Sequence, residues 1–380
     1  MGKHLVLIGG GHAHMVTLAN LHAIRAKGHR VSVVQPSTHH YYSGMGPGML
    51  GGTYTPDDIR FRTRHVVEKQ GGAFVHDSAV RVDAEARRVH LASGDAIDYD
   101  VLSMNAGSYV PRDILAGEVE ALFTVKPIER LMEAQQRLQK LTAAGPVQVA
   151  IVGGGPSAVE VAGNVWQLAR RLGKHDPRIR VYAGSRFMKG FPQPVRRRAK
   201  KILTKRGVEV LEGVRAAAIQ AGAVVRDDGT SDPADFVFLA VGVRPSRIFA
   251  DSGLPTGPDG GLLVNRYLQS VGDQRIFGGG DCIYFEPQPL DKVGVYAVRQ
   301  NPVLYANLVA ALEGEALTPF EPGGGYLLIF NMGGDQGVLH KAGVTIGGRL
   351  AFVIKDYIDR KFMRRFQALE QLAGGTPVSK

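Results

Sequence analysis

Cysteine is almost missing from this chain: Cys282 is the one thiol in 380 residues. An intramolecular disulfide, structural or catalytic, is thereby excluded, and a cysteine-rich zinc site with it. No apolar run approaches the ~20 residues that cross a bilayer, so no membrane-spanning helix is expected. Nor is a secretory leader apparent, because Met1-Gly2-Lys3-His4 passes straight into a short strand. Carboxylates and cysteines are lacking at ligand spacing around His12, His14, His39 and His40. These histidines therefore read as phosphate contacts or packing groups, and no metal site is expected. The expected location is the cytoplasm, with a peripheral position on the inner face of a membrane left open.

Glycine, in contrast, is abundant at 49 residues, while aromatics make up 7%. That balance suits an α/β protein with many strand–helix turns better than a helical bundle. The length allows two or three domains with sizeable cores. A net charge of +11 favours anionic partners such as nucleotide phosphates or an acidic membrane surface. The basic residues cluster on one or two helices without interleaved aromatics, so nucleic acid is not expected as a partner.

Gln148–Val165, QVAIVGGGPSAVEVAGNV, carries the strongest signal. A buried strand over Val149–Val152 meets Gly153-Gly154-Gly155, and a helix begins near Pro156 with an apolar face of Ala158, Val161, Ala162, Val165 and Ala169. Gly153-x-Gly155-x-x-Ala158 is a dinucleotide fingerprint. Its first glycine allows the tight turn, its second lets backbone approach a pyrophosphate, and the small third residue lets helix pack on strand. The helix N-terminus then presents N–H groups and partial positive charge to phosphate. His4–His14, HLVLIGGGHAH, repeats the pattern as Gly9-x-Gly11-x-x-His14, with Gly10 between the glycines and a histidine where a small residue is usual.

Neither repeat supplies the acidic residue that ordinarily binds ribose at the end of the next strand. The strand Arg30–Gln35 ends in Gln35, followed by Ser37, and glutamine bonds ribose hydroxyls more weakly than a carboxylate. After Ile179–Ala183 stand Gly184, Ser185 and Arg186, which would accept the 2′-phosphate of NADPH. Arg186 stacking on adenine, or facing solvent, is the alternative. Asp98–Tyr109 reads as an apolar strand entering the turn Asn105-Ala106-Gly107-Ser108. Phe236–Pro245 is another, turning at Gly242, and Gln274–Phe285 ends in Gly280-Asp281. Tyr41–Gly52, YYSGMGPGMLGG, has no periodicity.

Pro194–Arg206 reads as a basic, mostly solvated helix. Leu350–Leu369 reads as an amphipathic one, with Ile354, Tyr357, Ile358, Phe362 and Phe366 on one face. Lys355, Arg360, Lys361, Arg364 and Arg365 surround that face. Such a helix anchors at a membrane interface, or packs on its own domain or a second subunit in a homodimer; both readings stay open.

Two fingerprints, the NAGS and AVGVRP turns and the late GGGDC together resemble the two-dinucleotide flavoproteins of the pyridine nucleotide–disulfide oxidoreductase superfamily over roughly residues 4–320. Type II NADH dehydrogenases are similar. So is the flavoprotein module fused to some selenophosphate synthetases, which resembles this chain in VLIGGGHAH, YYSGMGPGML, YAVRQNPVL and KDYIDRKFMRRF. The resemblance implies an α/β fold of two Rossmann-like domains, with the NAD(P)H domain (119–247) inserted in an FAD domain (1–118 and 248–320). A small C-terminal α+β region (321–380) follows. It implies FAD at Gly9, Gly10, Gly11, His12, Gln35, Ser37, Val80, Ala106, Gly107, Gly280 and Asp281. NAD(P)H falls at Gly153, Gly155, Ser185, Arg186 and Gly242, with NADPH favoured.

Glu160 matches an acidic residue reaching the flavin–nicotinamide junction, Lys126 is a second polar candidate there, and Gln300 a candidate on the opposite flavin face near quinone. The implied activity is an FAD-dependent NAD(P)H dehydrogenase passing hydride to flavin and electrons to a quinone or other small acceptor. Disulfide-using and sulfide-oxidising relatives place cysteines near the flavin; this chain has YYSGMGPGML there instead. A flavoprotein that responds to NAD(P)H by changing its assembly, and a sulfur- or selenium-linked reductase, are the alternatives.

Overall fold

The computed structural model describes residues 2–173 and 175–371. Two five-stranded parallel sheets carry it. The first runs Ile276–Gly278, Val101–Met104, His4–Ile8, Arg30–Val34, Ala73–Val75. The second runs Leu122–Thr124, Phe236–Leu239, Gln148–Val152, Arg178–Tyr182, Glu209–Leu211. The first sheet is completed by a strand that follows the whole second sheet in the chain, so the second Rossmann-like unit is inserted in the first. Each fingerprint strand is central in its sheet and covered on both faces, which is why Leu5–Leu7 and Val149–Ile151 are continuously apolar rather than alternating.

The helix Pro156–Leu172 starts with proline at its first position and ends at Gly173 in the left-handed conformation. Proline's missing N–H costs nothing at that first position, and glycine accepts the positive φ at the end. YYSGMGPGML is more ordered than its sequence suggests. Gly46–Leu50 forms a short helix in which every residue is buried, and Met45, Met49 and Leu50 join the core of the second sheet. This segment of the first unit thus ties the two sheets together.

Beyond residue 320 the sequence pattern suggests two strands, Tyr326–Phe330 and Ala342–Ile346, and the described residues there form three antiparallel ones, Leu328–Asn331, Gly337–Lys341 and Val344–Gly348. Gly337–Lys341 escapes notice because it lies between glycine turns, Gly333-Gly334 before it and Gly343 after it. Its hairpin lies backbone-to-backbone on the second fingerprint helix. A Cβ at Gly163 would collide with the Met332 carbonyl oxygen, and one at Gly333 with the Gly163 carbonyl. Arg206 stacks 4.1 Å above the Trp166 ring and donates to the Met332 and Gly333 carbonyls, fixing the hairpin there.

The C-terminal helix, Arg349–Gln371, departs from its expected amphipathic face. Ala351, Lys355, Asp359, Met363, Phe366 and Leu369 point inward. Tyr357 and Ile358 instead join Leu350 and Val353 in an outward stripe, 41–59% exposed. Lys355 is buried because Asp359, one turn on, is buried with it. None of the described helices is long and apolar enough to cross a membrane.

Candidate functional site

Each fingerprint strand ends in a left-handed glycine, Gly9 at φ +83° and Gly153 at φ +138°. Side chains are excluded at both, since a Cβ would strike the Asn105 and Ala240 carbonyl oxygens respectively. A Cβ on Gly107, Gly155 or Gly242 would meet nothing within 4 Å. That is the open approach a bound dinucleotide requires. At the first turn the Asn105 Nδ2 amide is buried without a partner, and a Gly11 Cβ would come within 2.7 Å of it. Free space, a helix N-terminus and an unspent donor suit an anionic dinucleotide.

The structure brings Asp281 to Lys126. Lys126 Nζ lies 2.5 Å from Asp281 Oδ2 and 3.0 Å from Ser108 Oγ. Three separate segments thus meet at the mouth of the first turn. Gln300 is 1% exposed, and its Oε1 accepts the Gly280 N–H at 2.7 Å. Its side chain serves the Gly280-Asp281 turn and has almost no surface left for a diffusing acceptor. Val80 stands 48% exposed at an irregular pairing on its strand.

Gln35 does not present its amide outward. Its Oε1 accepts the Gly10 N–H at 2.8 Å, and its Nε2 donates to the Ser37 and His39 carbonyls at 2.6 and 2.8 Å. The Ser37 hydroxyl accepts the His39 N–H at 3.2 Å. His12 Nδ1 pairs with His40 Nε2 at 3.2 Å, and its ring stacks on Phe362 of the C-terminal helix at 5.6 Å. Burial and the Lys126 charge lower His12 to about 4, and burial with His12 and Lys126 lowers His40 to about 3, so the pair is neutral near pH 7. Among the described residues no group of three His, Cys, Asp or Glu could hold a metal ion.

At the second turn Ser185 and Arg186 are exposed beyond Arg178–Tyr182. Glu212 reaches this loop but is engaged by the Phe187 N–H at 2.9 Å and by Lys200. Glu160 lies one turn into the fingerprint helix, with Oε1 accepting the Asn331 N–H at 2.8 Å. Burial raises its carboxyl to about 7 against the opposing pull of Lys355 and that N–H.

The sequence gives no warning of the group behind Glu160. Lys355 Nζ donates to Asp359 Oδ2 at 2.8 Å and to the Gly44 carbonyl at 2.9 Å, and the Tyr42 hydroxyl donates to Asp359 Oδ1 at 3.0 Å. The i, i+4 spacing of Lys355 and Asp359 is visible in the sequence, but on a helix it usually marks a solvated pair. Cys282 is buried, donating to the Met104 and Gly279 carbonyls at 3.4 and 3.3 Å, and burial pushes its thiol up to about 11.

The sequence profile described as pyridine nucleotide-disulphide oxidoreductase matches residues 3–302. Type II NADH:quinone oxidoreductase of Staphylococcus aureus (strain NCTC 8325) is 24% identical over 388 residues, covering 94% of each chain. An NADH dehydrogenase-like protein of Mycobacterium tuberculosis is 31% identical over 228 residues, covering 57% of this chain and 56% of its own. Among solved structures, NDH2 of Plasmodium falciparum in complex with NADH superposes with a TM-score of 0.80 at 13% identity, covering 100% of both chains. The sulfide:quinone oxidoreductase of Aquifex aeolicus superposes with a TM-score of 0.77 at 19% identity, covering 97% of this chain and 92% of that one.

Proposed function

The chain belongs to the pyridine nucleotide-disulphide oxidoreductase family, and from that premise we propose an FAD-dependent NAD(P)H dehydrogenase whose electrons pass to a quinone. One observation carries the reading. Two glycine turns occupy the same place in two sheets that share the order of four strands, the fifth, edge strand coming last in the chain in one sheet and first in the other, and each turn lies at the end of a central parallel strand where dinucleotides bind. FAD falls to Gly9, Gly11, His12, Ala106, Gly107 and Asp281 of 1–118 and 248–320. NAD(P)H falls to Gly153, Gly155, Ser185, Arg186 and Gly242 of 119–247. Bound FAD supplies a two-electron relay between the nicotinamide hydride and the acceptor.

The chain's own residues supply orientation and protons. Reducing a quinone to a quinol with one hydride equivalent takes one further proton. Glu160, titrating near 7, is suited to hold it on the oxygen that Asn331 leaves free. Lys126 orients Asp281, and Gln300 orients the turn before it. A thiol route is disfavoured by the burial and high pKa of Cys282. Exposed Ser185 and Arg186, with Glu212 engaged elsewhere, support NADPH as the preferred donor. The outward stripe Leu350, Val353, Tyr357 and Ile358, with Arg349, Lys361, Arg364 and Arg365 exposed on the same helix, suits an anionic bilayer in which quinone dissolves.

Anaerobic mixing with NADPH or NADH, followed by addition of a quinone, tests this. Flavin absorbance should bleach within seconds and return with the quinone. Flavin that stays oxidised over minutes would sink the proposal.

A further inference from the structure

One peptide unit of the first fingerprint is held at both of its polar atoms by side chains foreign to the pattern. The Gly9 carbonyl lies 2.6 Å from His14 Nδ1, and the N–H of the same unit, on Gly10, donates to Gln35 Oε1 at 2.8 Å. Both atoms belong to one planar group, so the two side chains together fix its orientation. A carbonyl only accepts, so His14 Nδ1 carries the hydrogen. Nε2, 2.8 Å from Ser103 Oγ, accepts from that hydroxyl. Gln35 spends both of its amide hydrogens on the Ser37 and His39 carbonyls. His14 is 0% and Gln35 7% exposed. Neither side chain has a hydrogen left for a ligand.

Three consecutive glycines make the most freely rotating turn a chain can offer, and ordering it on ligand binding costs affinity. A fingerprint of the usual kind has a small residue at the third position and an acid reserved for ribose. Here both positions are given over to the turn itself. Gly10 is confined as well, since a Cβ there would come within 2.5 Å of Gln35 Oε1 and of the Thr63 methyl.

We propose that His14 and Gln35 are positioning residues that clamp the Gly9–Gly10 peptide and so build the phosphate-binding turn before the dinucleotide arrives. Gln35 makes no ribose contact. The proposal rests on the assignment of FAD to this turn.

Two measurements on the full-length protein test it. The first removes FAD and follows its rebinding by quenching of flavin fluorescence. Gln35→Glu keeps an acceptor for Gly10 but turns a carboxylate on the Ser37 and His39 carbonyls, so FAD affinity should fall about tenfold. Were Gln35 a ribose ligand, the same substitution would restore the usual acid and tighten binding, which would overturn the proposal. The second follows amide hydrogen exchange of residues 9–13 in the FAD-free protein, where Gln35→Met and His14→Ala should each speed exchange at Gly10. Unchanged exchange in both variants would overturn the clamp. A wild-type protein that takes up no FAD would instead overturn the cofactor assignment, and the exchange result would still decide the clamp.

Discussion

Lys355 and Asp359, one turn apart on the C-terminal helix, meet inside the protein with Nζ 2.8 Å from Oδ2, and the Tyr42 hydroxyl closes on the other carboxylate oxygen at 3.0 Å. A buried pair of this kind is expensive to break on one side only. Lys355→Met should cost about 3–5 kcal/mol by leaving Asp359 unpaired, and Lys355→Met with Asp359→Leu should recover most of it. Urea unfolding of the single and double variants is the measurement. A double variant no more stable than Lys355→Met would show that the carboxylate left without its lysine is not the source of the loss.

Glu160 binds its proton more tightly in the folded chain than an ordinary glutamate at 4.5, and releases it near 7. Its contribution to stability is therefore fully present below pH 4.5 and lost as pH rises through about 7. Glu160→Gln should flatten stability over that window. If Glu160 is the proton source for the acceptor, quinone reduction should decline as pH rises through about 7. Glu160→Gln should then abolish that limb and slow turnover at least ~100-fold. A wild-type limb retained in the variant would remove Glu160 from the proton step.

The outward stripe of the C-terminal helix is open to direct test. Val353→Asp with Tyr357→Asp should weaken co-sedimentation with anionic vesicles more than ~10-fold, since each side chain would contribute about 1.5–3 kcal/mol on burial in lipid. Flavin content should not change, because both residues are over half exposed. Sedimentation equal to wild type would rule out this face as the lipid contact.

Arg186 is exposed at the second turn, and in the proposed function it meets the 2′-phosphate of NADPH. Arg186→Ala should reduce kcat/KM for NADPH about tenfold, the scale of one charge-assisted bond, and leave NADH nearly unchanged. Steady-state rates with the two donors decide it; parallel losses would place Arg186 outside donor selection.

Cys282→Ala removes the only thiol in the chain. Because that sulfur is buried and meets backbone groups, the Met104 and Gly279 carbonyls and the Ala106 and Gly107 N–H groups, turnover should stay within about twofold of wild type while stability falls by roughly 1 kcal/mol. Loss of acceptor reduction at unchanged flavin content would reopen a thiol mechanism.

The fold was legible where a local rule has few alternatives. A continuous apolar strand, glycines at fixed steps and a small-residue helix can hardly be satisfied by anything but a strand–turn–helix, so both fingerprints could be read directly, while the nested arrangement came from the family resemblance. The hairpin of Leu328–Asn331 and Gly337–Lys341 was half legible, because a strand set between glycine turns depends on the surface it lands on, here Gly163 of the second fingerprint helix. The site residues divide in the same way. Gly107, Gly155 and Gly242 line open space as their motifs suggest, whereas Gln35, read as a ribose partner, is turned inward by three backbone groups that only folding brings together.

By itself, then, the sequence determined the two glycine turns and the exclusion of an intramolecular disulfide, because glycine spacing and cysteine count are local and countable. Tertiary structure alone decided that Lys355 and Asp359 turn inward while Leu350 and Val353 turn out. A helical pattern shows which residues share a face, but which face is buried depends on what the rest of the chain supplies. Here Tyr42 and Gly44, more than three hundred residues away, supply the partners that make burying a charge affordable.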